Sequence, residues 1–305
     1  MKKTILIFAI LIFANVKINA QMMSQMSKAD SLRQEGDLTG AIEEYKKTYN
    51  ANSNDADNIY NYACALSVTC QVDSAFKYLY ISIEMDTSIL AFRDPDFIHL
   101  RESPKWEAFE KRLTSLLEYF PDRPFNKDIE YAKILWKMFA LDQAYYKDIE
   151  IADEKVGKNS TVTYALWDLK EKINKENQEE FEKLIETNGW PKSSEVGGSA
   201  STTAFLIIQH SDLEKQKKYL PVIKNLCEQK EASWQSYALM YDRILTDENK
   251  PQKYGSQFKY NAQTKKNEFL PMEDETKVDE WRKEVGLGTL SEYASHWNIE
   301  YTPKK

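Results

Sequence analysis

Two ten-residue stretches, GDLTGAIEEY at residues 36–45 and CQVDSAFKYL at residues 70–79, decide the fold of the first part of the chain. Their equivalent positions lie 34 residues apart. The same offset relates two earlier pairs, Ala29 with Ala63 and Leu32 with Leu66. The small side chains of Ala41 and Ala75 let two helices pack closely where they cross, and larger apolar side chains fill the groove. The pattern therefore predicts consecutive pairs of packed helices.

This part of the chain resembles the tetratricopeptide repeat, whose signature is a 34-residue period with small residues at the helix crossing. It departs from that pattern because it lacks the first-helix tryptophan and the proline at the end of each unit. Residues 94–117 resemble the closing segment that often follows such repeats. We predict repeats and closing segment over residues 21–120. The resemblance implies a groove for a protein or peptide partner, and a purely structural role is the alternative for so short a stack.

The first residues have the pattern of a signal peptide. Lys2 and Lys3 precede an apolar run over residues 4–16, and the small residue Ala20 suits the position before a cleavage site. The run is shorter than the roughly 20 residues that span a bilayer, which favours cleavage over an uncleaved anchor. We therefore predict a signal peptide over residues 1–20, a periplasmic or secreted mature protein, and no stable membrane insertion after cleavage.

Composition narrows the class of function. A net charge of −7 offers no basic surface for nucleic acid, and 42% hydrophobic residues are enough to build a core. The three cysteines have no metal-ligand spacing, and Cys64 and Cys70 are placed in one predicted helix, too far apart for a disulfide. No phosphate loop, metalloprotease motif or serine-hydrolase elbow is present. We therefore predict no metal, no cofactor and no nucleic-acid partner.

Residues 120–124, FPDRP, mark a domain boundary because two prolines so close together cannot lie inside a helix. The domain predicted over residues 125–305 is again helical. Its expected elements include helices at residues 161–173 and 176–187, a helix opened by Pro221, and a short β-hairpin within residues 258–270. The predicted fold class is thus mainly all-α: tetratricopeptide-like hairpins followed by a helical domain with at most a short β-hairpin.

Candidate site residues fall in two helices of this domain. An apolar helix over residues 200–210 ends in Gln209 and His210, at the negative end of the helix dipole. Asp212 follows in a position that could hold that imidazole. A later helix carries Asp242 and Arg243 beside an aromatic stripe, so one of the two charges lies near the stripe.

The loop over residues 246–258 supplies further candidates. Gln252, Tyr254 and Gln257 have side chains that suit recognition of a polar ligand, and Gly255 allows close backbone approach. Asp142 and Gln143 end an earlier apolar helix and are additional candidates for ligand binding.

Several short motifs give the second domain a family resemblance. These are NGWP, VGGSAS, AFLIIQHSD followed by Gln216, YDRI, PQKYGSQF, PMED and DEWRKEVGL. Together they resemble a bacterial family known as domain of unknown function 6624, over residues 128–297. The chain departs from the family pattern at Tyr146, where an arginine is usual, and at Ser256, where threonine is usual. The resemblance supplies no activity, but implies that six candidates meet in space: His210, Asp242, Arg243, Gln252, Tyr254 and Gln257.

Two functions from different classes fit these observations. The first is an interaction or ligand-recognition protein that binds a partner through its repeats. The second is a hydrolase-like enzyme that uses His210 as general acid or base, with Asp242 and Arg243 at a polar substrate. A structural alternative remains for the same residues, namely a buried polar network that fixes helix packing.

Overall fold

The computed structural model describes residues 26–119, 127–261 and 263–304. The predicted signal peptide and the predicted boundary at residues 120–124 lie outside these ranges, so both stay predictions. Contacts divide the chain between Asn177 and Gln178 into two compact units. We call the described residues 26–177 the N-terminal unit and residues 178–304 the C-terminal unit, and describe each by itself.

The described residues of the N-terminal unit form helices joined by turns, with no strand among them. Its α-helices are α1 (Lys28–Gln34), α2 (Leu38–Ala51), α3 (Ala56–Val68), α4 (Val72–Met85), α5 (Leu90–Arg93), α6 (Lys105–Glu118), α7 (Ile129–Gln143), α8 (Tyr146–Val156) and α9 (Thr161–Asn188), the last continuing into the C-terminal unit. Helix α1 packs on α2, α3 on α4, and α2 on α3, as the 34-residue offset predicts. Ala41 and Ala75 are completely buried at these contacts because only a small side chain fits where the helices cross.

The turns within the two helix pairs share one backbone conformation. Gly36 and Cys70 follow α1 and α3, and both have a left-handed φ, +77° and +60°. In each turn the next amide reaches back to a helical carbonyl, from Asp37 to Leu32 and from Gln71 to Leu66. Cys70 is therefore exposed in a turn, and its expected place in the same helix as Cys64 is wrong.

Trp106, Phe109 and Leu113 form the buried side of α6, after the 3₁₀ turns Pro95–Phe97 and Leu100–Glu102. The Phe92 ring of α5 stacks on Trp136 of α7 with centroids 5.5 Å apart. Helices on both sides of the predicted boundary thus belong to one compact unit.

The C-terminal unit is built around an apolar helix. Its elements after α9 are α10 (Ser193–Val196), α11 (Gly198–Gln209), α12 (Leu213–Glu228), α13 (Trp234–Asp247), β1 (Phe258–Asn261), β2 (Lys266–Phe269), α14 (Val278–Glu284) and α15 (Leu290–His296). Helix α11 is buried at every position from Thr203 to Gln209, which confirms its expected central place. Pro221 lies inside α12 rather than at the start of a helix, so that expectation is wrong.

The two strands β1 and β2 form the only sheet within the described residues, an antiparallel hairpin that pairs Phe258 with Phe269. This confirms the mainly all-α fold class. The hairpin packs its aromatic side chains against Tyr293 of the last helix and against Trp297, the C-cap of that helix. Residues 251–257 precede this hairpin and contact α13 through Asp242. None of the helices in the described ranges combines the length and apolar character that a bilayer crossing needs.

Candidate functional site

Asp242 holds the 251–257 loop from inside the C-terminal unit. Its side chain is completely buried on α13. Its carboxylate oxygens accept hydrogen bonds from the amide of Lys253 at 2.8 Å, from that of Tyr254 at 2.9 and 3.1 Å, and from the amide and hydroxyl of Ser256 at 3.0 and 2.9 Å. Burial raises the pKa of Asp242, and these bonds from the loop oppose that rise. The carboxylate therefore serves as the acceptor around which the loop folds.

Gln252 fastens the same loop to the β-hairpin. Its Nε2 donates to the carbonyls of Gln257 at 2.8 Å and Leu270 at 2.9 Å, while its Oε1 accepts from the Gln257 amide at 2.7 Å. The side chain is completely buried. Gln252 was expected to contact a ligand, but its polar atoms face backbone groups of the protein.

Gly255 is required at the tip of the loop. Its φ is +66°, and a Cβ there would lie 2.8 Å from Cδ1 of Leu290. Buried Arg282 supports the loop from α14 by donating from Nη1 to the Tyr254 carbonyl at 2.7 Å. Together with Asp242 and Gln252, these residues give the loop one conformation, which favours the structural alternative for this part of the predicted site.

Gln209 lies at the centre of a second polar group at the end of α11. Its carbonyl accepts from Nε2 of Gln216 at 3.1 Å and from Nη1 of Arg243 at 3.3 Å. Next to it, the His210 carbonyl accepts from Nε2 of Gln178 at 3.1 Å. The predicted residues Gln209 and Arg243 therefore do meet, and His210, half-buried, adjoins them.

Three side-chain amides in this region are buried and incompletely bonded. Gln209, Gln216 and Gln257, which we call the amide cluster, are exposed by only 1, 2 and 1%. Within the described chain, the Oε1 atoms of all three have no hydrogen-bond partner. Gln257 contacts α13, the helix that also carries Arg243: its Nε2 donates to the Leu239 carbonyl at 3.4 Å and to Ser256 Oγ at 2.9 Å. Buried amide oxygens ordinarily bind a donor, so this cluster suits a water molecule or a ligand rich in N–H and O–H groups.

Gln216, which follows the AFLIIQHSD motif, is not among the predicted site residues. Its position seven residues after Gln209 spans the turn between α11 and α12, and Nε2 also donates to the Ser211 carbonyl at 2.9 Å. A helical pattern gives no indication of this contact, because it depends on the angle between two helices.

Asp212 and Tyr254 have structural contacts of their own. Asp212 is the N-cap of α12 and accepts from the Lys215 amide at 2.9 Å, with an exposed side chain. The ring of Tyr254 packs edge-on against Tyr241, and burial raises the pKa of its phenol to about 12. The Tyr254 side chain thus packs, from the loop, against aromatic side chains of α13.

Asp142 and Gln143 lie in the N-terminal unit, at the end of α7. Asp142 is buried, and its Oδ2 accepts from Nε2 of Gln143 at 2.7 Å. Buried Lys170 donates to the backbone carbonyl of Asp142, and burial lowers the pKa of this lysine to about 8. These contacts join α7 to α9.

The family of unknown function DUF6624 matches residues 131–304. The chain belongs to the DUF6624 family. Its loop of residues 251–257, Asp242 and the amide cluster all lie inside the matched region. None of the curated proteins and none of the solved structures compared with the chain matches it.

Outside the DUF6624 region, the N-terminal unit contains a cavity of about 510 Å³ between its first helices. We call it the repeat cavity. Residues of α1, α2 and α3 line it together with the end of α4 and the start of α5. Its lining combines apolar groups such as Tyr45 and Leu90 with carboxylates such as Asp30 and Asp57.

A cluster of buried Cys64 and half-buried Asp94 and Asp96 also precedes the DUF6624 region. One ligand atom of each lies within 4.8 Å of the others, a geometry that could hold a cation. Arg33 forms an ion pair with Asp96, however, and Tyr60 donates to Asp94 at 2.9 Å. Burial also raises the pKa of the Cys64 thiol well above its ordinary value, which disfavours the thiolate. The guanidinium therefore supplies the positive charge of this cluster.

Proposed function

We propose that the protein is exported and binds an extended segment of a partner protein in the repeat cavity. In this proposal residues 1–20 are a cleaved signal peptide, so the mature chain works in the periplasm or outside the cell. Its 34-residue units are tetratricopeptide-like. The DUF6624 region is a recognition or structural module joined to them.

The repeat cavity is the observation that carries this proposal. Its volume of about 510 Å³ falls within the range of known ligand pockets, roughly 300–1,000 Å³. Leu90 at its edge is 52% exposed, an apolar side chain available for contact. Consecutive helices contribute to the cavity wall, an arrangement that suits a chain lying across several helices rather than a compact cofactor.

Blocking the cavity is expected to weaken partner binding. Thr48 is exposed and lines the cavity near the end of α2, so Thr48→Trp fills space without changing the core. Lys46→Trp is the matched control, because residue 46 is exposed and lies about 200° around the same helix. Peptides selected on the mature wild-type chain from a library of random dodecamers should bind Thr48→Trp at least about tenfold more weakly and Lys46→Trp unchanged.

Fluorescence anisotropy gives these affinities, and hydrogen exchange locates the site. A bound peptide should slow amide exchange in α1 and α3. Failure of the library to yield any binder, or binders with equal affinity for both tryptophan variants, would overturn the proposed function.

A second candidate function is recognition or conversion of a small polar ligand at the amide cluster, with His210 as general acid or base. The three amide oxygens without a partner in the described chain favour it. In this candidate function the catalytic residues are His210 and Arg243. Asp242 is not among them, because its oxygens accept hydrogen bonds from the loop amides.

Gln209→Met tests this second candidate because it replaces a buried amide with an apolar side chain of similar length. A metabolite screen by thermal shift on the mature chain should find a ligand that raises Tm, and the response should disappear in Gln209→Met and in His210→Ala. If no metabolite raises Tm and Gln209→Met is as stable as the wild type, the candidate is wrong.

A further inference from the structure

The repeat cavity has a one-sided charge. Four aspartates line it, Asp30, Asp55, Asp57 and Asp86, and no lysine, arginine or histidine is among the described residues of its wall. The nearby lysines Lys28 and Lys47 both pair with Glu44, at 2.9 and 2.7 Å. The cavity therefore has a negative potential that side chains of its own wall do not neutralise.

Asp30 is held in place at the wall of the cavity. Its Oδ1 accepts from the hydroxyl of Tyr45 at 2.6 Å and from Nδ2 of Asn61 at 3.3 Å, and its Oδ2 accepts from Oγ of Ser27 at 2.7 Å. Burial raises the pKa of Tyr45, so this phenol remains a donor at neutral pH. A carboxylate positioned by three donors needs no rearrangement to receive a cation.

The end of α4 adds to the negative potential. Its last turn contributes Ser82 and Ile83 to the cavity wall, and Asp86 follows as the C-cap. The C-terminus of a helix carries a partial negative charge, so a carboxylate there is electrostatically unfavourable in the unbound chain. A cation in the cavity relieves this repulsion.

We infer that the repeat cavity binds a lysine or arginine side chain of the partner segment. The inference rests on the proposed function, namely that a segment of a partner protein enters this cavity. The aliphatic stem of the basic side chain lies along Tyr60 and the exposed Leu90 at the wall, and its charged end meets Asp30, Asp57 and Asp86. The remaining volume of the cavity accommodates the partner residues on either side of this basic residue.

The test uses the dodecamers selected on the mature wild-type chain. Their sequences should be enriched in lysine or arginine at one shared position. One selected peptide is then measured by anisotropy against the double variant Asp57→Asn/Asp86→Asn, whose two side chains are exposed. Affinity should fall by about tenfold. Asp73→Asn, an exposed site on α4 that is not among the residues lining the cavity, should bind as the wild type does.

Salt dependence and competition with spermidine distinguish this inference from the alternatives. Raising the salt concentration from about 50 to 200 mM should weaken wild-type binding more than binding by the double variant. Binders without basic residues, or with unchanged affinity for the double variant, would overturn this inference and leave the proposed function standing. A library without binders would overturn both. Spermidine that displaces the peptide and itself binds as tightly would identify a small-cation site and overturn the peptide assignment.

Discussion

Replacing Asp242 with alanine is expected to lower the free energy of unfolding of the C-terminal unit by about 4 kcal/mol. The substitution removes the acceptor for the amides of Lys253, Tyr254 and Ser256, and leaves them buried or partly buried without a partner. Asp242→Asn keeps one acceptor oxygen and should cost less. Urea unfolding of the mature chain measures the loss, and hydrogen exchange assigns it to residues 178–304.

Asp247→Ala is the control, because Asp247 ends the same helix with an exposed side chain. Its effect should stay below about 1 kcal/mol. Equal stability of the two alanine variants, with unchanged exchange at residues 253, 254 and 256, would show that the loop does not depend on Asp242.

The second large effect is a pH dependence in the N-terminal unit. Burial, followed by repulsion from Asp96, raises the pKa of Asp94 to about 6 from an ordinary value of 3.8. Between these values the folded chain holds the proton more tightly than the unfolded chain does, so the unfolding free energy falls as the pH rises. The stabilisation is fully present below about pH 3.8 and is lost above about pH 6. A shift of this size corresponds to about 3 kcal/mol.

Asp94→Asn isolates this effect. Its amide oxygen can take the place of Oδ1, which accepts from the Asp96 amide at 2.9 Å, and its amide nitrogen can donate to the Tyr60 hydroxyl, which in the wild type donates to Oδ2 at 2.9 Å. The stability of the variant relative to the wild type should rise by about 2.4 kcal/mol from pH 4 to pH 7, because at pH 4 part of the stabilisation is already lost. Hydrogen exchange of α3 and α4 at both pH values measures it. Asp73→Asn should show no such rise, and an equal difference at both pH values for Asp94→Asn would contradict the prediction.

Hydrogen bonds in the C-terminal unit distinguish residues that shape the loop from residues that could bind a ligand, although both were assigned to one site from the sequence. Asp242, Gln252 and Gly255 determine the shape of the loop, and their polar atoms are directed to the protein. The amide cluster lies beside them with acceptors that face no protein donor in the described chain. A variant of Asp242 that loses activity is therefore weak evidence for catalysis, whereas Gln209→Met tests binding more directly.

Several elements depend on local signals in the sequence. Thr289 and Glu292 form the capping box that starts α15, because both halves of this motif lie within one turn of helix. The hairpin around β1 and β2 and the left-handed Gly189 after α9 are likewise set by a few neighbouring residues. The two helix pairs were predicted from the 34-residue period, which is visible in the sequence alone.

Other local signals were overridden. Residues 161–188 form one helix instead of two, since the polar run between the expected helices carries no proline or glycine to end it. Lys170 and Asn177 on this helix bond to carbonyls of α7, which stabilises its continuity. Pro221 is accommodated within α12, whose buried face includes Tyr219 and Ile223 on either side of it.

The sequence by itself determined the helical class, the period of the first helices, the hairpin and the family, because each is written in the spacing of nearby residues. Only the tertiary structure decided which polar residues hold the fold together through buried hydrogen bonds. Asp242 became the anchor of a loop, and Gln216 joined Gln209 across a helix turn. Burial and hydrogen-bond partners come from segments distant in the chain, so the type and spacing of a side chain do not specify them.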